Sequence, residues 1–175
     1  MTELAKFLTF DLRAPDPDDA GDLFEMSNLP RYRWGTSRLP FHSLAECKAY
    51  MERSQERLTR KIGAYIGPKM IGMASLTRYE GRRNHVAGLG IGIHDDPHGR
   101  GVGTALMAAI IDLADNWWNI PRIELDVYVD NEPAIRLYQR FGFVIEGTKR
   151  GSTFREGEYV DDYFMARWRK SPLTP

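Results

Sequence analysis

Apolar and polar positions along the chain change period several times, and each change marks an element. Phe7 to Leu12 reads as a strand, closed by the turn-prone Ala14-Pro15-Asp16-Pro17. Asp16 before Pro17 starts a helix that carries Ala20, Leu23, Phe24 and Ser27 at helical spacing. Asn28 to Phe41 has no period and holds Pro30 and Pro40, which predicts a loop. Ser43 and Glu46 form a capping-box pattern opening a second helix to about Arg57, with Leu44, Cys47, Tyr50 and Met51 on its apolar side. Ile62–Ile66 and Met70–Leu76 flank Gly67-Pro68-Lys69 as a hairpin, and the charged turn Glu80–Asn84 leads into a strand over Val86–Ile93.

A helix from about Val102 carries Leu106, Ala109, Ile110, Leu113 and Trp117 on one packing face. Arg122 to Val129 alternates charged and apolar residues as a half-buried strand does. Asn131 caps the next helix, Pro133 sits in its first turn, and Gly142 ends it after Ala134, Leu137, Tyr138 and Phe141. Phe143 to Glu146 restarts a strand, and Gly151–Arg155 and Tyr159–Trp168 flank the turn Glu156-Gly157. No repeat or linker divides residues 1–175, which reads as a single domain.

One stretch concentrates candidate chemistry: Gly90-Ile91-Gly92-Ile93, a polar connection, then His98-Gly99-Arg100-Gly101-Val102-Gly103-Thr104 at a helix start. The first N–H groups of a helix lack partners and its dipole is positive there, so an anion is welcome, and Arg100 adds a full charge. Such a turn can also be purely structural. A dinucleotide-binding reading needs the glycines directly after the strand and an acid about 20 residues on. Glu124 has that spacing, but Asp95 to His98 intervene. No Gly-Lys-Ser/Thr follows, which argues against a P-loop.

Composition narrows the partners. Lys+Arg and Asp+Glu balance at 24 each, so nothing in the charge recruits nucleic acid or an anionic membrane. The single Cys47 excludes an intramolecular disulfide and a cysteine-rich zinc site, and fits a reducing, cytoplasmic setting. His42, His85, His94 and His98 are scattered, so no metal is expected. No run approaches the roughly 20 apolar residues of a membrane span.

Two local patterns resemble the GCN5-related N-acetyltransferase superfamily. His98-Gly99-Arg100-Gly101-Val102-Gly103 is similar to its coenzyme A pyrophosphate loop, Gln/Arg-x-x-Gly-x-Gly/Ala. Asn131-Glu132-Pro133-Ala134-Ile135-Arg136-Leu137-Tyr138, continuing to Gly142-Phe143, is similar to its Asn-x-x-Ala-x-x-Leu-Tyr-x-x-x-Gly-Phe segment. Segments such as Asp115-Asn116-Trp117, Arg122-Ile123-Glu124-Leu125 and Gly157-Glu158-Tyr159-Val160-Asp161 look like bacterial enzymes of that superfamily acting on free L-amino acids.

The resemblance implies a mixed α/β fold, with a central twisted sheet of six to seven strands flanked by about four helices. It implies an acetyl-CoA-dependent transferase that moves an acetyl group to the primary amine of a small molecule, free L-amino acids included, in a cytoplasmic homodimer. Backbone N–H groups from Arg100 to Thr104, with His98 and Gly99, would hold the pyrophosphate. The pantetheine would lie along Ile91, Gly92 and Ile93, an N–H near Ile91–Gly92 would polarise the thioester, and Asn131 would bond to coenzyme A. Tyr138 would protonate the departing thiolate. His98 replaces the usual Gln or Arg, and the Val86–Ile93 strand lacks the carboxylate base common in the superfamily. His85 and Glu124, acting through water, are candidates for that base. Within the Arg31–Phe41 segment, an Arg together with Tyr32 or Trp34 reads equally as an acceptor pocket or as a solvated or dimer-contact surface. Acetylation of a protein amino terminus or an antibiotic-like amine, and a non-catalytic acyl-CoA-binding module, are the alternatives.

Overall fold

Strand pairing builds one seven-stranded sheet in the order β1-β2-β3-β4-β5-β7-β6. The computed structural model describes residues 9–52, 58–96 and 100–169. The strands are β1 (Asp11–Arg13), β2 (Thr59–Ile66), β3 (Lys69–Arg78), β4 (Val86–Ile93), β5 (Arg122–Tyr128), β6 (Val144–Arg155) and β7 (Glu158–Trp168). Five α-helices accompany them among the described residues: α1 (Ala20–Ser27), α2 (Pro30–Trp34), α3 (Leu44–Glu52), α4 (Val102–Asp112) and α5 (Glu132–Arg140). All neighbouring strands pair antiparallel except β4 and β5, which run parallel.

Two apolar clusters lie on opposite faces of the sheet. Leu106, Met107 and Ile110 of α4 and Tyr138 of α5 pack with Ala74, Leu76, Ile123, Leu125 and Val127 on one face. On the other, Leu23, Met26, Tyr32, Cys47 and Met51 from α1, α2 and α3 pack against Tyr65, Met70 and Met73. This second layer covers β2 and β3, so the face of β4, β5 and β7 beyond it is left as the floor of a cleft.

The capping box that opens α3 is present: Ser43 N–H donates to Glu46 Oε2 (2.7 Å), and Glu46 N–H donates to Ser43 Oγ (3.2 Å). Asp16 accepts from Asp18 N–H (3.1 Å) before a 3₁₀ turn, Pro17–Asp19, so α1 starts at Ala20 rather than at Pro17.

Three expectations need correction. The segment read as a loop contains a short helix, α2. Its first two N–H groups, from Arg31 and Tyr32, donate to the Asp95 carboxylate at 3.0 and 2.9 Å, so its cap lies 64 and 63 residues away. Trp117 does not face the core but is 75% exposed. A π-helical turn, Leu113–Trp117, follows α4; its wider backbone shifts the facing positions and seats Ala114 and Trp118 inward instead. The strand at Phe143–Glu146 and that at Gly151–Arg155 are one strand, β6, bulged between Ile145 and Gly147 and between Lys149 and Thr153. Phe7 and Leu8, and the expected end of the second helix at Arg57, lie outside the described residues.

Candidate active site

β4 and β5 pair only over Val86–Gly88 against Arg122–Glu124, while β4 stays paired to β3 as far as Ile93. Beyond Gly88 the two parallel strands part. Which backbone groups face the opening follows from the alternation of a strand. His94 N–H donates to Ile71 O (2.9 Å) and Val86 O accepts from Tyr79 N–H (3.0 Å), so even-numbered residues of β4 address β3. His85 O accepts from Arg122 N–H (3.3 Å), so odd-numbered ones address β5. The N–H and C=O groups of Leu89, Ile91 and Ile93 therefore face the split. The Gly92 N–H, one of the two placed near the thioester from sequence, points to β3.

The side chains alternate the other way. Leu89, Ile91 and Ile93 pack toward α4 and α5. Gly88, Gly90 and Gly92 leave the opposite face flat, beside Thr77, Ser75 and Met73 in the β3 register. Gly92 has a packing reason: a Cβ there would lie 2.5 Å from the ring and hydroxyl of Tyr32. Tyr32 is buried, so it can yield only by moving α2. Gly92→Ala should cost about 1–3 kcal/mol, as overpacking does, and should raise KM for the acceptor more than for the acyl donor. Thermal denaturation and steady-state kinetics check both parts.

Two hollows meet at the split. A groove of about 480 Å³ runs between β4 and α5, lined by Ile91, Gly92, Ile93, the α4 start, Asn131 and Tyr138. At its α4 end Gly101 takes a left-handed conformation (φ 88°) that other residues adopt only with strain. The first bond inside α4 is Ala105 N–H to Gly101 O (3.0 Å), and among the described residues no side chain caps the helix start. The N–H groups of Val102, Gly103 and Thr104 thus open onto the groove, which Arg31 and Arg140 also line. Arg140 donates to Thr104 Oγ1 at 3.5 Å. This end suits an anion, and the apolar, edge-on strand beyond it suits an extended chain able to bond to backbone. Arg100 is exposed beside Gly101, while His98 and Gly99 lie outside the described residues.

The second hollow, about 920 Å³, covers the flat face of the sheet. Its floor is Ser75, Gly90, Gly92, Asp126, Tyr128 and Asp162, and its walls include Tyr32, Arg38, His42, Glu46 and Tyr50. Tyr138 and Tyr32 line both hollows. Tyr138 is 7% exposed, and burial pushes its phenol well above the ordinary tyrosine range. Burial raises Tyr32 likewise, against an opposing pull from Arg38.

Of the aromatic and basic residues in 31–41, Tyr32 and Arg38 reach the larger cleft and Arg31 the groove. Trp34 instead carries the Arg155 guanidinium on its ring, 4.4 Å from the centroid. Asn131 Oδ1 accepts from Ala134 N–H at 3.4 Å, a long capping bond, and the residue also lines the groove.

Neither base candidate suits the task as placed. His85 stacks on Trp168 (centroids 6.3 Å apart) at the end of β4 away from the split. Glu124 is fastened by Arg83 at 2.6 Å and Arg122 at 2.7 Å. The floor carboxylates Asp126 and Asp162 were missed because each reads alone as a polar position on an alternating strand. Only the register Asp126↔Phe164 and Tyr128↔Asp162 puts them on the cleft face. Asp162 Oδ2 accepts from Ser152 (2.6 Å) and Thr153 (3.1 Å), while its Oδ1 and His42 Nε2 are buried without a hydrogen-bond partner among the described residues. Among those residues no cluster of His, Cys, Asp or Glu is arranged for a metal ion, and no helix is long and apolar enough to cross a membrane.

Residues 22–143, which span the split, the α4 turn and α5, match the family model described as acetyltransferase (GNAT) family. The chain belongs to that family. It is 44% identical over 119 residues to the L-amino acid N-acetyltransferase AaaT of Escherichia coli K12, covering 65% of this chain and 74% of that one. It is 27% identical over 175 residues to an N-alpha-acetyltransferase of Saccharolobus solfataricus, covering 95% and 98%. The yncA structure from Salmonella typhimurium, solved with its cofactor acetyl-CoA, superposes with a TM-score of 0.81 at 18% identity, covering 95% of this chain and 97% of that one. The protein is thus an N-acetyltransferase of the GNAT family, and its mixed sheet is the family's fold.

Proposed function

We propose that the protein transfers the acetyl group of acetyl-CoA to the primary amine of a small molecule, a free L-amino acid being the first candidate. The observation that carries this reading is the parting of β4 from β5. It exposes the odd-numbered backbone groups of β4 where an acyl donor in the groove meets an acceptor in the larger cleft. In this reading the N–H groups of Val102, Gly103 and Thr104, with Gly101, Arg100 and the adjoining His98 and Gly99, hold the pyrophosphate. Asn131 bonds to the coenzyme arm. The pantetheine pairs with the free edge of Ile91–Ile93 as an added strand would.

The Ile91 N–H then polarises the thioester carbonyl and stabilises the negative charge that gathers on its oxygen. The acceptor nitrogen attacks that carbon directly, the C–S bond breaks, and Tyr138, protonated throughout the neutral range, gives its proton to the sulfur. The same burial that raises the phenol also destabilises an unsolvated thiolate, which keeps the transfer feasible. Support for an amino-acid acceptor is the resemblance to AaaT and the placing of Arg38 on the cleft wall, where a guanidinium can take a carboxylate. The proposal extends to a cytoplasmic homodimer; the exposed outer strand β6, bearing Val144, Ile145 and Phe154, supports a second copy.

The test is release of free coenzyme A from acetyl-CoA across a panel of L-amino acids, polyamines, aminoglycosides and peptides with free amino termini. Turnover confined to free amino acids is expected. Turnover only on peptides would move the acceptor to protein amino termini, and tight acetyl-CoA binding without any turnover would make the protein a binding module.

A further inference from the structure

The β4 strand carries no carboxylate, yet an ammonium must lose a proton before its nitrogen can attack. We propose that Asp126 is the proton acceptor for the incoming amine, an assignment that rests on the acetyl-transfer reading above.

Its place in the sheet is the argument. Gly88 pairs with Glu124, so the next residues on the same face, Gly90 and Asp126, confront each other where the strands part. Asp126 lines the large cleft and also the smaller hollow beside it that holds Glu124, Tyr79 and Gly88. No Cβ stands between it and the split, because the positions facing it on β4 are glycines. Ile91, whose N–H addresses the split, is the next residue beyond Gly90. Asp126 is also 48% exposed at its side chain, so a proton it receives can leave to solvent.

The other carboxylates on this face are less suited. Glu124 is 9% exposed and held by two guanidinium groups. Asp162 sits one strand farther from the split, on β7, with Oδ2 occupied by Ser152 and Thr153. Among the described residues Asp126 has one cationic contact, Lys149 of β6, which is 48% exposed and whose Nζ lies 2.7 Å from Oδ1 and 2.8 Å from Oδ2. Among the described residues, the charged and titratable groups that contact it or line its hollows are Lys149 from β6, Asp162 from β7, Glu124 and Tyr128 from β5, Tyr79 after β3, Tyr138 from α5, and Tyr32, Arg38, His42, Glu46 and Tyr50 on the cleft wall.

The proton balance closes. The bound ammonium gives one proton to Asp126, which passes it to solvent. The neutral nitrogen forms the C–N bond as the C–S bond breaks. The sulfur takes the Tyr138 proton, and the second proton lost by the nitrogen replaces it on the phenol. The sum is one amide, one thiol and one proton released.

Asp126→Asn separates a base from a structural residue through its pH profile. At pH 7 kcat/KM for the best acceptor should fall on the order of 10²-fold. The deficit should then shrink about tenfold per pH unit as the free amine becomes abundant, closing to within about threefold near the amine's own pKa. Asp126→Glu should restore part of the neutral activity, and the acetyl-CoA Kd by calorimetry should match the wild type for both variants. A deficit of constant size at every pH, or none at pH 7, would overturn the assignment. A wild type that turns over no amine would instead sink the acetyl-transfer reading on which it rests.

Discussion

Replacing Tyr138 with Phe should lower kcat by roughly 10²–10³-fold while leaving KM for acetyl-CoA within a few-fold. The change removes one oxygen from a side chain whose ring stays packed on Phe143, 5.9 Å between centroids, so the fold has little reason to respond. On the proposed mechanism the change withholds the proton that the leaving sulfur takes, a barrier increase of about 3–4 kcal/mol. Because burial raises the Tyr138 phenol, its proton remains in place above the ordinary tyrosine value of about 10. Wild-type kcat should therefore show no alkaline downturn from this group below that pH. Steady-state kinetics between pH 6 and about 10 on both proteins read the outcome; undiminished turnover in the variant would remove Tyr138 as the acid.

Glu124→Ala should act on stability more than on chemistry. The carboxylate lies between the guanidinium groups of Arg83 and Arg122, and Arg122 continues to Glu146 through bonds of 2.9 and 2.6 Å. Removing the centre of this chain strands the inner side of Arg122, whose side chain is 13% exposed. Breaking a buried pair costs about 3–5 kcal/mol, and the retained Glu146 bonds favour the lower end. About 3 kcal/mol lowers the melting temperature of a chain this size by about 6–12 °C. Near-normal kcat in the surviving folded fraction is expected, whereas a large loss of kcat with unchanged melting would make Glu124 chemical after all. Acid weakens the same chain from its other end. Hydrogen bonding from Arg122 lowers the Glu146 carboxyl. Its contribution is full above the ordinary carboxyl value of about 4.3 and is lost as pH falls through the lower folded value.

The elements that sequence reveals here are those with local causes. β4 is bounded as its alternation implies, Val86–Ile93, and α5 begins just after its Asn131 cap and ends before Gly142 because cap and terminator sit beside it. Helix α2 escapes because five residues make too short a period, and its capping carboxylate, Asp95, arrives from the far end of β4. Trp117 misleads because a single widened turn changes which side chain faces inward, and nothing local announces a π turn. The groove between β4 and α5 draws its lining from short runs that stand out in the sequence, Ile91–Ile93, Gly101–Thr104 and the Asn131–Tyr138 helix, so its residues are nameable together from sequence. The lining of the larger cleft is not. Ser75, Asp126 with Tyr128, and Asp162 come from three strands that the sheet register brings to one surface, and Arg38 reaches it from the segment after α2.

The central claim is that the gap between β4 and β5 receives the acetyl thioester. A crystal structure with acetyl-CoA tests it most directly. The account predicts the pantetheine along Ile91–Ile93, the pyrophosphate against the Val102–Thr104 N–H groups, and the acetyl oxygen about 2.9 Å from the Ile91 nitrogen. Coenzyme bound elsewhere, or an acetyl oxygen facing away from Ile91 with the split empty, would contradict it.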